Sequence, residues 1–129
     1  MKTLQTLTAI IEAGAGIALL GFPSLTASLL LGTPLDSPAA AGLARVGGAA
    51  ILTLAIACWL ARRDADSLAS QGLVAALLFY NIAVACLLAF VNLNHGLHGV
   101  LLWPAVLFHV AMGCWCVASL MRKHQSVLR

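Results

Sequence analysis

Charged residues are scarce in this sequence. Of its 129 residues only 9% are charged and 62% are hydrophobic, and the mean hydropathy is +1.02. A typical soluble domain has about 25% charged residues. A chain this small and this apolar cannot cover its surface with polar groups, which excludes a soluble enzyme and a nucleic-acid-binding protein. The length allows a single integral membrane domain with about four crossings of roughly 20 residues each.

Recognisable catalytic and metal motifs are also missing. The chain has no Gly-rich phosphate loop, no nucleophile elbow and no His-Glu-x-x-His sequence. Its four cysteines lie inside apolar runs and lack the Cys-x-x-Cys spacing, so we expect buried free thiols rather than a redox or zinc site. The sequence favours a non-enzymatic role without settling it. The cysteines are Cys58, Cys86, Cys114 and Cys116.

Four long apolar runs make up most of the sequence. Each of the four is long enough to cross a hydrocarbon core about 30 Å thick, and helices are the economical structure in lipid. Gly21 and Pro23 should end the first helix, and Ser37 should cap the second. Pro104 either begins the fourth helix or kinks it. The sequence thus predicts an all-α four-helix transmembrane bundle with spans at residues 4–21, 38–60, 72–91 and 99–121.

The segment between the first two spans, Ser24–Ser37, is too short and too interrupted to cross a membrane. Four of its leucines could form a short interfacial or re-entrant helix. A loop packed over the bundle is the alternative, and the sequence leaves both open. These leucines are Leu25, Leu29, Leu30 and Leu31.

Apart from Arg45 inside the second span, Lys and Arg occur only near the two termini and in the connection between the second and third spans. Residues 22–37 and 92–98 contain no Lys or Arg. Under the positive-inside rule both termini should face the cytoplasm, in a bacterial inner membrane. The basic side chains then lie against anionic lipid headgroups and need no nucleic-acid partner. These residues are Lys2, Arg62, Arg63, Arg122, Lys123 and Arg129.

Each predicted helix carries one strongly polar side chain near the middle of the membrane. At about 1.5 Å rise per residue, Glu12, Arg45, Asn81 and His109 lie roughly 14, 10, 16 and 15 Å from the outer helix ends, and Tyr80 neighbours Asn81. Such residues are costly against lipid, so we expect them to face one another, with Glu12 and Arg45 as an ion pair. The cluster either holds the helices in register or forms a ligand or proton-handling site.

Two further sets of residues could bind a metal or haem. His95 and His98 share one face if their loop is helical, although nothing in that loop completes a site. The alternative is an ordinary polar turn. His109 and Cys116 lie on one face of the fourth helix and could ligate copper or haem, with apolar core packing as the alternative.

The first 50 or so residues carry a family resemblance. The second helix begins Ala-Arg-Val-Gly-Gly-Ala-Ala over residues 44–50, and the first has a central acid followed by Gly-Phe-Pro and a Leu-rich segment. These features resemble those of small bacterial DoxX-like four-helix membrane proteins. Some members of that family are linked, as small membrane subunits, to quinone-coupled sulfur oxidation. The resemblance therefore implies an accessory role and a quinone as a possible cofactor.

The functional prediction is a small inner-membrane protein that is an accessory subunit or binds a small lipophilic ligand. Its partners would be membrane lipids and a membrane protein or a second copy of the chain. One alternative is a redox protein that binds quinone or haem through His109, supported by Arg45 and Glu12. Another is a small oligomeric transporter, because four helices leave little room for a pathway within one chain.

Overall fold

The computed structural model describes residues 1–127, without the side chains of residues 124, 126 and 127, so Arg129 lies outside it. The described residues form five α-helices and no strand, which confirms the predicted all-α class. Four of these helices are long and apolar enough to cross a membrane. The helices are α1 (Lys2–Gly21), α2 (Pro23–Leu31), α3 (Pro38–Ala61), α4 (Leu68–His95) and α5 (Leu102–Val127), with a 3-10 turn at Arg62–Asp64.

The helix ends follow the capping residues. The Ser37 hydroxyl accepts a hydrogen bond from the Ala40 amide at 3.1 Å, as expected of an N-cap. Ser67 caps α4 in the same way, through the Ser70 amide at 3.1 Å. Pro104 lies in the first turn of α5, where its missing N–H leaves no hydrogen bond unmade, so it begins the helix and does not kink it.

The segment between α1 and α3 is a short helix bonded to the rest of the bundle. Gly32 follows the last residue of α2 and has a positive φ of 80°. The last carbonyl groups of α2 accept hydrogen bonds from the segment before α5. The Gly99 amide donates to Leu30 O at 3.2 Å and the Leu101 amide to Leu29 O at 2.9 Å. We call this side of the bundle the α2 end. The opposite side, with Met1 and the Arg62–Asp64 turn, is the terminal end.

The four long helices associate as two close pairs, α1 with α3 and α4 with α5. In the first pair the backbones touch at Gly16 and Gly48. A Cβ atom on Gly16 would lie 2.9 Å from the Gly48 carbonyl oxygen, and one on Gly48 would lie 2.9 Å from the Gly16 carbonyl oxygen. Small residues allow this approach, which stabilises helix pairs in lipid through backbone packing.

Large apolar side chains cover the outside of the bundle. Ile10, Ile17, Leu43, Phe79 and Leu87 are each more than half exposed. An apolar surface of this extent is unfavourable in water and favourable against lipid tails. The buried core lies toward the terminal end, where residues of all four long helices meet: Leu4, Cys58, Leu77, Met112 and Cys116.

Candidate functional site

The centre of the bundle holds a buried carboxyl group. Glu12 is in the middle of α1 and is only 4% exposed. The Tyr80 hydroxyl of α4 donates a hydrogen bond to Glu12 Oε2 at 3.1 Å. A buried carboxyl group without a partner would be strongly unfavourable, so this bond between α1 and α4 helps to join the two helix pairs.

A second polar pair lies beside the first. The Tyr80 and His109 rings are in edge contact, with centroids 5.6 Å apart. His109 Nδ1 lies 2.8 Å from Asn81 Oδ1, and Asn81 Nδ2 donates to the Leu77 carbonyl oxygen at 2.8 Å. The structure therefore brings Glu12, Tyr80, Asn81 and His109 together, as their similar depth predicts.

The Leu77 carbonyl determines the tautomer of neutral His109. A carbonyl oxygen only accepts, so the Asn81 amide nitrogen must face Leu77 and its oxygen must face His109. Neutral His109 must then carry its proton on Nδ1, which leaves Nε2 as a hydrogen-bond acceptor. Nε2 makes no hydrogen bond with any residue that the structure describes.

Arg45 is not part of this cluster, and the predicted Glu12–Arg45 ion pair is wrong. Its Nε donates to the Leu20 carbonyl oxygen at 3.2 Å. That carbonyl belongs to the last turn of α1, where free carbonyl groups and the helix dipole favour a cation. Arg45 thus caps the end of α1 and lies about 12 Å along the helix axis from Glu12, at 1.5 Å rise per residue.

The register of α1 against α3 explains this error. Gly16 of α1 packs against Gly48 and Leu52 of the antiparallel α3, and Gly48 packs against Leu19 and Leu20, so Arg45 lies near the end of α1 and not opposite Glu12. In this register α3 begins roughly 10 Å beyond the end of α1, at 1.5 Å rise per residue. The prediction instead assumed that the outer ends of the two helices, the end of the first and the start of the second, lie at the same depth. The helical α2 segment creates the offset because it lies between them at the α2 end.

A groove between α4 and α5 opens next to the polar cluster. Its volume is about 270 Å³, and Asn81 and His109 are its polar residues. The remaining lining is apolar or contributed by thiols, and it includes Leu78, Ile82 and Gly113. Gly113 is buried, and a Cβ atom there would have only ordinary contacts, at 3.8 Å from Asn81 and 3.9 Å from Leu78. The groove is therefore apolar, with a hydrogen-bonding histidine on its wall.

A row of buried polar residues on α1 was missed in the sequence analysis. Gln5, Thr8 and Glu12 share one helix face, at spacings of three and four residues. Gln5 is fully buried, and its Nε2 donates to Ser70 Oγ at 2.6 Å. Gln5 Oε1 and Thr8 Oγ1 are buried and have no hydrogen-bond partner in the part of the chain that the structure describes. The helical spacing of the three side chains in the sequence would have revealed this row.

An open cavity of about 380 Å³ lies at the terminal end, lined in part by Leu4, Asp66, Arg122 and Lys123. Lys123 Nζ lies 2.6 Å from Asp66 Oδ1. The hydrogen bond and positive charge of Lys123 lower the pKa of Asp66. The wall of this cavity is therefore charged, in contrast to the apolar groove.

The remaining candidates are separate from these sites. His95 ends α4 with its ring against Phe90, while His98 Nδ1 lies 2.6 Å from the Gly96 carbonyl oxygen. Within the described part of the chain no group of three or more His, Cys, Asp or Glu side chains could hold a metal. All four cysteines are free thiols. Cys58 and Cys116 are buried, but Cys86 and Cys114 are exposed, contrary to the prediction that all four are buried.

The four apolar helices and the hydrophobic outer surface define a small multi-pass membrane protein. No protein-family model, curated protein or solved structure matches the chain.

Proposed function

We propose that this protein binds a small lipophilic molecule bearing a hydroxyl group in the groove between α4 and α5. The observation that carries the proposal is the tautomer of His109. His109 lines the apolar groove, and its Nε2 can accept a hydrogen bond and has no partner among the described residues, which suits a ligand with an apolar body and one hydrogen-bond donor.

The size of the groove limits the ligand. A cavity of about 150 Å³ can hold benzene, so the groove volume of about 270 Å³ suits one substituted ring or a short alkyl chain. A hydroquinone hydroxyl can donate to Nε2, whereas a quinone has only acceptor oxygens. The proposal therefore favours the reduced form, and it agrees with the quinone link that the DoxX-like resemblance implies.

Two probes that differ only in their hydroxyl groups test this interaction. Decylhydroquinone and decylbenzene would be titrated into the full chain in mild detergent, and binding measured by native mass spectrometry. We expect about fivefold tighter binding of decylhydroquinone, since a hydrogen bond contributes about 1 kcal/mol and tenfold corresponds to about 1.4 kcal/mol. His109→Phe should abolish this difference, while His98→Phe, in a loop outside the groove, should retain it. Equal affinities in the unmodified protein would refute the role of His109.

Two substitutions at Gly113 test the groove itself. Gly113→Ala introduces a methyl group that the structure accommodates, so both probes should still bind. Gly113→Leu should fill the groove and weaken both probes. If both bind the leucine variant as tightly as the unmodified protein, the binding site lies elsewhere.

We also propose that the terminal end faces the cytoplasm of a bacterial cell. In support, Lys2, Arg62, Arg63, Arg122 and Lys123 belong to this end, while residues 92–98 at the α2 end contain no Lys or Arg. A membrane-protein partner or a second copy could cover part of the apolar surface, as an accessory subunit requires.

A further inference from the structure

We propose that water enters the bundle from the terminal end along the polar row of α1 and reaches Glu12. The row consists of Gln5, Thr8 and Glu12, with Ser70 beside it. The inference does not depend on a ligand in the α4–α5 groove.

The first argument is the two unpartnered polar atoms in this row. Gln5 and Thr8 are 0% and 2% exposed, yet Gln5 Oε1 and Thr8 Oγ1 have no hydrogen-bond partner among the described residues. Exchanging the oxygen and nitrogen of the Gln5 amide would leave its other atom unpartnered. Buried polar atoms in folded proteins are normally satisfied, and ordered water is the usual partner where protein atoms are missing.

The second argument is the direction of the Thr8 hydroxyl. Thr6, Thr26 and Thr53 each donate to the carbonyl oxygen four residues earlier, at 2.9 Å. Thr8 has the same option on α1 and does not use it. Because this local bond is the usual way for a helical threonine to satisfy its hydroxyl, the Thr8 hydroxyl is available to a different partner inside the bundle.

The spacing of the row suits bridging water. At 1.5 Å rise per residue, Thr8 lies about 4.5 Å from Gln5 and about 6 Å from Glu12 along the helix axis. One water molecule with two hydrogen bonds of about 2.8 Å joins polar atoms up to roughly 5.6 Å apart. One or two water molecules can therefore link each neighbouring pair of side chains.

The entrance lies at the charged cavity of the terminal end. Leu4 and Asp66 line that cavity, and they lie one residue before Gln5 and one helical turn before Ser70. The Gln5–Ser70 hydrogen bond therefore lies within about one helical turn, along the chain, of residues that line the cavity. Beyond Glu12 the same face of α1 continues with Gly16, which packs against Gly48, so the row ends at Glu12.

Water in this row would allow Glu12 to exchange protons with one side of the membrane. A proton passes from a water molecule to a Glu12 carboxylate oxygen, and a proton from the terminal cavity restores that water. Glu12 accepts a hydrogen bond from the Tyr80 hydroxyl of α4, and it makes no ion pair with any described residue that would neutralise its carboxylate.

Water-edited solid-state NMR of the isotopically labelled full chain in lipid bilayers tests the proposal. Magnetisation transfer from water should reach Thr8 and Glu12 side chains several-fold faster than Ala9. Ala9 is a suitable internal reference because it is 4% exposed, neighbours Thr8 and faces apolar residues. Transfer to Thr8 and Glu12 as slow as transfer to Ala9 would overturn the proposal.

Substitutions identify the route. Thr8→Val keeps the side-chain shape and removes the hydroxyl, so it should slow transfer to Glu12 several-fold. Thr53→Val is the matched control, since that threonine is exposed and bonds its own helix. If magnetisation transfer from water to Glu12 is as fast in Thr8→Val as in the unmodified chain, a water route through Thr8 is excluded. If Thr8→Val does not fold, the proposal is tested by comparing the rates of magnetisation transfer from water to Thr8 and to Ala9 in the unmodified chain. Gly113→Leu, which fills the ligand groove, should leave the water signals unchanged.

Discussion

Replacing Tyr80 with phenylalanine removes the hydroxyl group that bonds Glu12 and leaves the aromatic ring in place. Glu12 is 4% exposed, and the Tyr80 hydroxyl is its only side-chain hydrogen-bond partner among the described residues. An unsatisfied buried polar group costs about 1–3 kcal/mol, whereas hydrogen bonds between membrane helices average about 0.6 kcal/mol and reach about 1.7 kcal/mol. We therefore expect Tyr80→Phe to lower the free energy of unfolding by about 1 kcal/mol.

A double-mutant cycle separates this hydrogen bond from the other effects of each substitution. The variants are Tyr80→Phe, Glu12→Leu and the double mutant, and the assay is reversible unfolding in mixed micelles followed by circular dichroism. The expected coupling energy is about 1 kcal/mol, because Glu12→Leu removes the acceptor that Tyr80→Phe would otherwise leave without its donor.

A second double-mutant cycle, which combines Glu12→Leu with Arg45→Leu, is the matched control. Arg45 bonds Leu20 and is about 12 Å from Glu12 along the helix axis, and sites this far apart are additive to within about 0.5 kcal/mol. A coupling of Glu12 to Arg45 as large as its coupling to Tyr80 would refute the assignment of partners and restore the ion pair.

Two further predictions concern packing and orientation. Gly48→Ala should destabilise the protein in the same unfolding assay, because its Cβ would meet the Gly16 backbone at 2.9 Å; Gly47→Ala is the control, since nothing lies within 4 Å of its Cβ position. Equal stability of the two variants would contradict the Gly16–Gly48 contact. A green fluorescent protein fused to the C-terminus in a bacterial cell should fluoresce, because the terminal end is proposed to face the cytoplasm, whereas an alkaline phosphatase fusion should be inactive. The reverse pattern would contradict the orientation.

The sequence by itself determined the four spanning helices and the position of each polar residue along its own helix. Apolar runs of membrane-spanning length exclude other backbone structures in lipid, and local chemistry at Gly21 and Ser37 ends and begins helices. The Gln5–Thr8–Glu12 row can also be predicted from the sequence, because the three residues belong to one helix and their spacing of three and four residues places them on one face.

Only the tertiary structure decided which polar residues meet. Depth along one helix says nothing about the offset of its neighbour, and that offset depends on the Gly16–Gly48 contact and on the α2 helix. The observed register of α3 along α1 differs from the predicted one by a few residues, and this difference places Arg45 at the end of α1 instead of beside Glu12. The His109 tautomer likewise depends on Asn81 and the Leu77 carbonyl, which meet His109 only when α4 packs against α5.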